Sequence, residues 1–300
     1  MKYLILGANG QVGRALQNVF SGVGRGSALG RDGCDLQDAT SIMLALETHK
    51  PRVILNAAAY TAVDAAEDDQ TTAEAINTTA PGILANWAKQ NGALLVHYST
   101  DYVFDGKKNG VYYETDAPAP LSAYGRTKLA GEEAIQATGC KHLIFRTSWV
   151  YDEDGKNFAN TILRLAKERE ELSVIDDQHG APTHAALIAD VTLKCVTDYL
   201  NKDEATQAAL SGIYNLTPEG ETTWHGFAQY LVETVGHSLN LTCRVDALKP
   251  IPSAAYPVKA KRPQNSRLSI AKIEQTFGIL LPHWTRHANL FIKAYIAKHP

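Results

Sequence analysis

The chain lacks the features that mark membrane and disulfide-bonded proteins. No run of about 18 apolar residues occurs, which excludes a helical membrane span. The opening Met1-Lys2-Tyr3-Leu4-Ile5-Leu6-Gly7 is too short an apolar run for a signal peptide and leads straight into glycines, so a cytoplasmic location is expected. Cysteine is scarce. Cys34, Cys140, Cys195 and Cys243 lie far apart, with no C-x-x-C pair. This spacing argues against a metal cage or a disulfide framework and reads as four small core hydrophobes in a reducing compartment. Charge of one sign is missing too. Lys and Arg number 29 against 32 Asp and Glu, a formal charge of -3, so no basic surplus exists for nucleic acid. H-E-x-x-H is absent, and His283 and His287, four apart, read as a solvated helix face rather than a zinc site.

What remains is a chain built for a globular core. Its 300 residues are 45% hydrophobic, a length that suits two domains. Short apolar runs alternate with helical patterns through the first half. Strands are expected at Tyr3–Leu6, Arg52–Leu55, Ala93–Tyr98 and His142–Phe145, with helices at Val12–Phe20, Ser41–Thr48, Ala80–Gln90 and Ala123–Ala137. Strands apolar on both faces and separated by helices imply an α/β fold with a doubly wound parallel sheet. The second half loses this rhythm. Helices are expected at Asn160–Arg169, Leu187–Leu200 and Trp224–Val235, one more strand at Gly212–Leu216, and two closing helices from about Ser269 to about Ala297. Lys249-Pro250-Ile251-Pro252 reads as a loop, Asp176-Asp177 as a turn, and Glu67-Asp68-Asp69 as helix-capping or solvated acids. The expected division is 1–150 plus about 186–217 as a dinucleotide-binding domain. About 151–185 plus 218–300 would form a smaller, partly discontinuous C-terminal substrate domain.

Gly7-Ala8-Asn9-Gly10-Gln11-Val12-Gly13 follows the first strand and opens a helix. Glycines there permit a tight turn and close approach of a pyrophosphate, which the helix N-terminus attracts through unpaired N–H groups. Gly7, Asn9, Gly10, Gln11, Val12 and Gly13 are thus the expected cofactor cradle of a Rossmann-type domain. Near the end of the second strand, Arg31 suits a 2′-phosphate and points to NADPH, while Asp32 beside it leaves NADH open. Asp35 and Leu36 would meet the adenine edge.

Tyr124 and Lys128 stand four apart on one expected helix. A nearby ammonium favours the phenolate and lowers the phenol pKa, and it can also hold a ribose hydroxyl. Thr100 lies at the C-terminal end of a strand, where open α/β sheets place ligand contacts, and its hydroxyl can donate to a developing oxyanion.

Together these residues resemble the extended short-chain dehydrogenase/reductase family. The resemblance rests on Gly7–Gly13, Asn56-Ala57-Ala58-Ala59-Tyr60-Thr61-Ala62-Val63-Asp64, Ser99-Thr100-Asp101-Tyr102-Val103-Phe104-Asp105-Gly106 and Tyr124–Lys128. It extends through Arg146–Tyr151, Gln178–Thr183, Arg262–Ser266 and Phe277–Trp284. It implies reduction of the 4-keto group of a dTDP-linked 6-deoxy-L-sugar to dTDP-L-rhamnose, a step of nucleotide-sugar and cell-surface polysaccharide biosynthesis. It further implies that Tyr124 donates the proton, Lys128 tunes the phenol and orients the ribose, and Thr100 polarises the carbonyl. Ala57, Ala58 and Ala59 would let the chain pass close to the cofactor, with Tyr60 at the same strand end. Val63, Asp101, Tyr102 and Trp149 would line the sugar pocket, and Arg262 would meet the diphosphate. Some relatives dimerise around magnesium held by glutamates. Their positions are Ala15 and Ala186 here, and alanine offers no oxygen to a hard cation, so a monomer without structural metal is expected. Two alternatives stay open: a non-catalytic NADP-binding regulatory subunit of the methionine adenosyltransferase type, and a reductase or epimerase of another nucleotide sugar.

Overall fold

The structure, a computed structural model, describes residues 1–299. Six parallel strands form the central sheet in the spatial order Gly212–Asn215, Lys141–Thr147, Leu94–Thr100, Val53–Asn56, Lys2–Leu6, Arg25–Leu29. Side chains alternate across it. Ile5, Leu55 and Val96 face one side, packing with Leu16 and Phe20 of helix Gln11–Phe20 and Ile188 and Cys195 of helix Ala185–Leu200. Leu4, Leu6 and Ile54 face the other, against Leu46, Leu84 and Ile135 of helices Ala39–His49, Ala80–Asn91 and Ala123–Thr138. This two-sided burial is why the four inner strands carry apolar runs, while the edge strand Arg25–Leu29 is only partly buried; together they give the doubly wound α/β architecture expected. Strand order reverses at Lys2–Leu6, which lies between the second and third strands, and the crevice at their C-terminal ends is where such sheets bind ligands.

A second body packs helices Phe158–Glu168, Trp224–Gly236 and Thr285–Lys298 around Tyr151, Phe227, Trp284 and Phe291. Helix Ala271–Phe277 sends Ile273 and Phe277 into the sheet-side core instead, although its sequence position lies among the substrate-side residues.

Two expectations are corrected here. Lys249 and Pro250 lie within a short strand, Leu248–Ile251, paired in parallel with Leu172–Ile175. The ribbon has only two strands, so proline loses no central ladder bond. His287 is buried and stacks on His184 with ring centroids 5.8 Å apart, so only His283 of that pair faces solvent. The four cysteines are free and buried. Among the described residues no helix is long and apolar enough to cross a membrane.

Candidate active site

One cavity of about 890 Å³ runs along the crevice, and it gathers most of the residues singled out above. Gly7, Asn9, Gly10, Gln11 and Val12 line it at one end, with Arg31, Asp35 and Leu36 beside them. Ala57, Ala58, Ala59, Tyr60 and Val63 follow from the third strand end, and Thr100, Asp101, Tyr102, Tyr124, Lys128 and Trp149 close it. Gly13 and Arg262 are not among its walls.

The glycine turn fits a pyrophosphate. Gly7 has φ 79°, and a Cβ there would meet the Ala58 backbone N at 2.6 Å. Gly13 stays behind the wall because it packs on Gly7; its Cβ would stand 2.0 Å from the Gly7 carbonyl oxygen. Helix Gln11–Phe20 starts at Gly10 with no side-chain cap and no acid in its first turn, so its leading N–H groups remain for an anion. Arg31 is largely exposed and lies 3.6 Å from Asp35 across an i,i+4 pair.

The chemistry end is buried. Ser122 caps helix Ala123–Thr138 by accepting from the Gly125 N–H at 3.2 Å. A Cβ on Gly125 would meet the Tyr102 carbonyl oxygen at 2.2 Å, so glycine lets this helix close on the Asp101–Val103 turn. The Tyr102 and Tyr124 rings then meet edge to face, 5.5 Å apart. Thr100 Oγ1 donates to Asp101 Oδ1 at 3.0 Å and accepts from the Tyr102 N–H at 3.2 Å. Burial pushes the Tyr124 phenol up to about 12, with the nearby Thr100 hydroxyl opposing it. This reverses the acidified phenol expected from the Y-x-x-x-K spacing. Burial also lifts the Asp101 carboxyl to about 6, against the nearby Ser266 hydroxyl and the hydrogen bond from Thr100, and its Oδ2 has no partner. Lys128 is fully buried, which brings its ammonium down to about 8 while the Glu132 carboxylate raises it.

At the far wall, Trp149 has φ 50°, a conformation side chains rarely adopt. Its indole stacks on Trp224 at 3.7 Å between centroids, and Gly180 leaves room for it. Arg262 is held by Asp64, Nη2 to Oδ2 at 2.6 Å, and that bond depresses the Asp64 carboxyl.

Three groups escaped the sequence reading. Thr147 and Ser148 line the cavity from the end of strand Lys141–Thr147, a position that strand-end logic singles out. Lys156 lies at the mouth, on a turn with no motif. Asn77, inside a single π turn at Ala75–Thr79, accepts from the Tyr60 N–H at 2.9 Å and donates to the Tyr60 carbonyl and to Thr127. It ties the third strand's loop to the Tyr124 helix, and π turns gather at functional sites.

The residue pattern and the full-length fold both match known proteins. A family model described as the RmlD substrate binding domain covers residues 1–297. A dTDP-4-dehydrorhamnose reductase from Burkholderia thailandensis is 46% identical over 301 residues, 99% of this chain and 100% of that relative. The chain belongs to the dTDP-4-dehydrorhamnose reductase family. A Salmonella typhimurium member is 46% identical, covering 95% of this chain and 94% of its own length. Among solved structures, the reductase from Clostridium acetobutylicum superimposes with a TM-score of 0.89 at 34% identity, covering 98% of this chain and 99% of its own. The Bacillus anthracis member, in complex with NADP, gives 0.86 at 30% identity, covering 99% and 100%.

Ala15 and Ala186 line a surface cavity of about 440 Å³ beside Asp152 and Glu153. Asp152, Glu153 and His184 each bring one ligand atom within 4.8 Å of the others. His184 Nδ1 caps a helix by accepting from the Ala186 N–H at 3.1 Å, and its Nε2 lies 3.3 Å from Glu153 Oε1.

Proposed function

We propose that the chain reduces the 4-keto group of dTDP-4-dehydro-6-deoxy-L-mannose with NADPH, yielding dTDP-L-rhamnose. The observation that carries this reading is the meeting of Thr100, Tyr124 and Lys128 with the glycine turn on one cavity. When bound, the reduced nicotinamide supplies the hydride. The turn's amides hold the pyrophosphate, Arg31 reads the 2′-phosphate, Asp35 and Leu36 meet the adenine, and Ala57 to Tyr60 let the chain pass close to the cofactor.

Tyr124 donates a proton to the substrate oxygen as charge develops on it. Its raised pKa keeps the phenol protonated at neutral pH, the form a reduction requires. Thr100 has one proton, given to Asp101 in the free site; polarising the ketone requires that it turn to the substrate oxygen. Lys128 grips the ribose. Val63, Asp101, Tyr102 and Trp149 face the sugar. Arg262 exchanges Asp64 for phosphate oxygens, its fork matching either partner. The substrate-side residues, about 151–185 plus 218–299 without helix Ala271–Phe277, close over the cavity. The protein acts as a monomer without structural magnesium, since Ala15 and Ala186 offer no ligand oxygen from their side chains.

This reading stands ahead of the regulatory-subunit and epimerase alternatives because the relatives at 46% identity are named reductases and the three catalytic groups are all present. The test is turnover of freshly generated dTDP-4-dehydro-6-deoxy-L-mannose with NADPH or NADH, with the product identified by NMR. Oxidation of neither coenzyme overturns the reading, and a product epimeric at C4 reassigns the substrate face.

A further inference from the structure

Lys128 has an unusual set of partners. Its Nζ donates to the Tyr98 carbonyl at 2.6 Å and stands 3.1 Å from His97 Nε2. His97 is buried on strand Leu94–Thr100, and its other nitrogen, Nδ1, lies 3.1 Å from the Asn56 amide Nδ2. Asn56 is buried as well, and its Oδ1 has no partner.

The proton count decides between two arrangements. An ammonium has three protons and no lone pair, so against it Nε2 accepts. A neutral imidazole has one N–H, which then sits on Nδ1 and needs an acceptor. Asn56 supplies it once its amide turns over, Oδ1 for Nδ2, which pairs the oxygen and moves the amide NH₂ into its former place. The competing arrangement puts the proton on Nε2, facing a neutral Lys128 amine, with Asn56 Nδ2 donating to Nδ1. The short bond to the Tyr98 carbonyl and the Glu132 carboxylate favour the ammonium. Burial and the Lys128 charge both push the imidazole well below its usual range, which keeps the ring neutral.

We propose that His97 is a positioning residue: held by Asn56 in the Nδ1–H tautomer, it accepts a hydrogen bond from Lys128 through Nε2 and, with the Tyr98 carbonyl, aims the ammonium into the cavity. Two of the three ammonium protons are then spent inside the protein, and one is left for a ribose hydroxyl. The kinetic part of this inference rests on the functional reading above; the tautomer does not.

Two experiments on the full chain test it. Two-bond 15N–1H correlation spectra resolve the tautomer of each of the ten histidines, and His97 is assigned by the signal lost in His97→Gln. A neutral ring protonated on Nδ1 is expected; an Nε2–H ring or an imidazolium overturns the proposal, whatever the chain reduces. The second compares variants. Gln places Oε1 where Nε2 stands, so His97→Gln should keep the NADPH Kd and kcat within about threefold. His97→Leu has no acceptor and should weaken NADPH about tenfold and slow kcat by a similar factor. In a Lys128→Met background the Leu substitution should change Kd no further. Equal losses in the Gln and Leu variants, or none in either, sink the proposal. If the Leu variant does not fold, the tautomer decides alone.

Discussion

Glu132→Gln probes how far the site leans on one buried ion pair. Glu132 is fully buried on the Tyr124 helix, accepts from Arg146 Nε at 3.0 Å and Nη2 at 2.6 Å, and also takes the Ser99 hydroxyl proton. Arg146 is 2% exposed, lies over the Phe104 ring at 5.1 Å, and has an Nη1 with no partner. Gln keeps the volume but removes the charge and turns an NH₂ towards guanidinium donors. Arginine cannot escape by losing its proton. Breaking a buried pair this way costs about 3–5 kcal/mol. For a chain of this length the unfolding entropy is about 0.6 kcal/mol per kelvin, so Tm should fall by roughly 5–8 °C. Urea unfolding should show the same loss as a lower midpoint at constant m-value. Replacing both residues by Met should recover most of it, less about 1 kcal/mol for the Ser99 hydroxyl left without its acceptor. A loss below about 1 kcal/mol for Glu132→Gln would mean that water reaches the pair and the burial argument fails. A functional trace should accompany it. Glu132 raises the Lys128 pKa, so its neutralisation lowers it, and NADPH binding should weaken at pH 8 before it weakens at pH 7.

The remaining predictions concern the cavity. Tyr124→Phe should lower kcat by about 10²–10⁴ in single-turnover measurements while leaving the NADPH Kd nearly intact; a parental rate would remove Tyr124 from the mechanism. Arg31→Ala should weaken NADPH more than NADH by fluorescence titration, and an equal loss would show that Arg31 does not read the 2′-phosphate. It should cost almost no stability, since its pair with Asp35 is exposed. Asp101→Asn should trade activity for stability. Folding raises the Asp101 pKa from 3.8 to about 6, so the parent is favoured by Asp101 below pH 4 and loses that contribution as pH climbs through 6. The Asn variant should therefore unfold at the parental midpoint near pH 4 and at a higher one near pH 7.5; a stability gain largest at acid pH would reverse the sign and refute the buried-carboxyl reading.

The inner strands were legible because two-sided burial writes itself into them, whereas the edge strand Arg25–Leu29, exposed to half-buried, carries no such run. Leu4-Ile5-Leu6 and Ile54-Leu55 have no polar face to confuse with a helix, and glycines or helix caps bound the elements. The second half was harder for a physical reason. Its ribbons are two to four residues long, paired across wide gaps in the chain, as Leu248–Ile251 is with Leu172–Ile175, and a run of four has no measurable period. Lys249-Pro250-Ile251-Pro252 therefore looked like a loop, because proline was weighed against a central strand that does not exist there. His287 looked solvated for a related reason: the spacing placed it on a helix, but the partner that buries it, His184, lies about a hundred residues away. Asn77 could not be seen at all, since a π turn leaves no signature in sequence.

The Tyr124/Lys128 spacing shows where such reading stops within the site. Four residues on a helix guarantee a shared face, and both side chains do line the cavity. They do not guarantee a Coulombic link, because four methylenes separate the lysine backbone from its charge. Here that charge ends against the Tyr98 carbonyl and His97, and the phenol feels burial first. An oxidation would suffer from this, since it needs the phenolate as a base. A reduction does not. The phenol must keep its proton until charge develops on the carbonyl oxygen, and a raised phenol pKa holds it back until that acceptor exists. On this argument Lys128 serves the reaction chiefly as an anchor for the ribose. Its removal should then cost cofactor affinity in proportion to rate, and a Lys128→Met variant that loses kcat at unchanged NADPH Kd would return it to the role of acidifier.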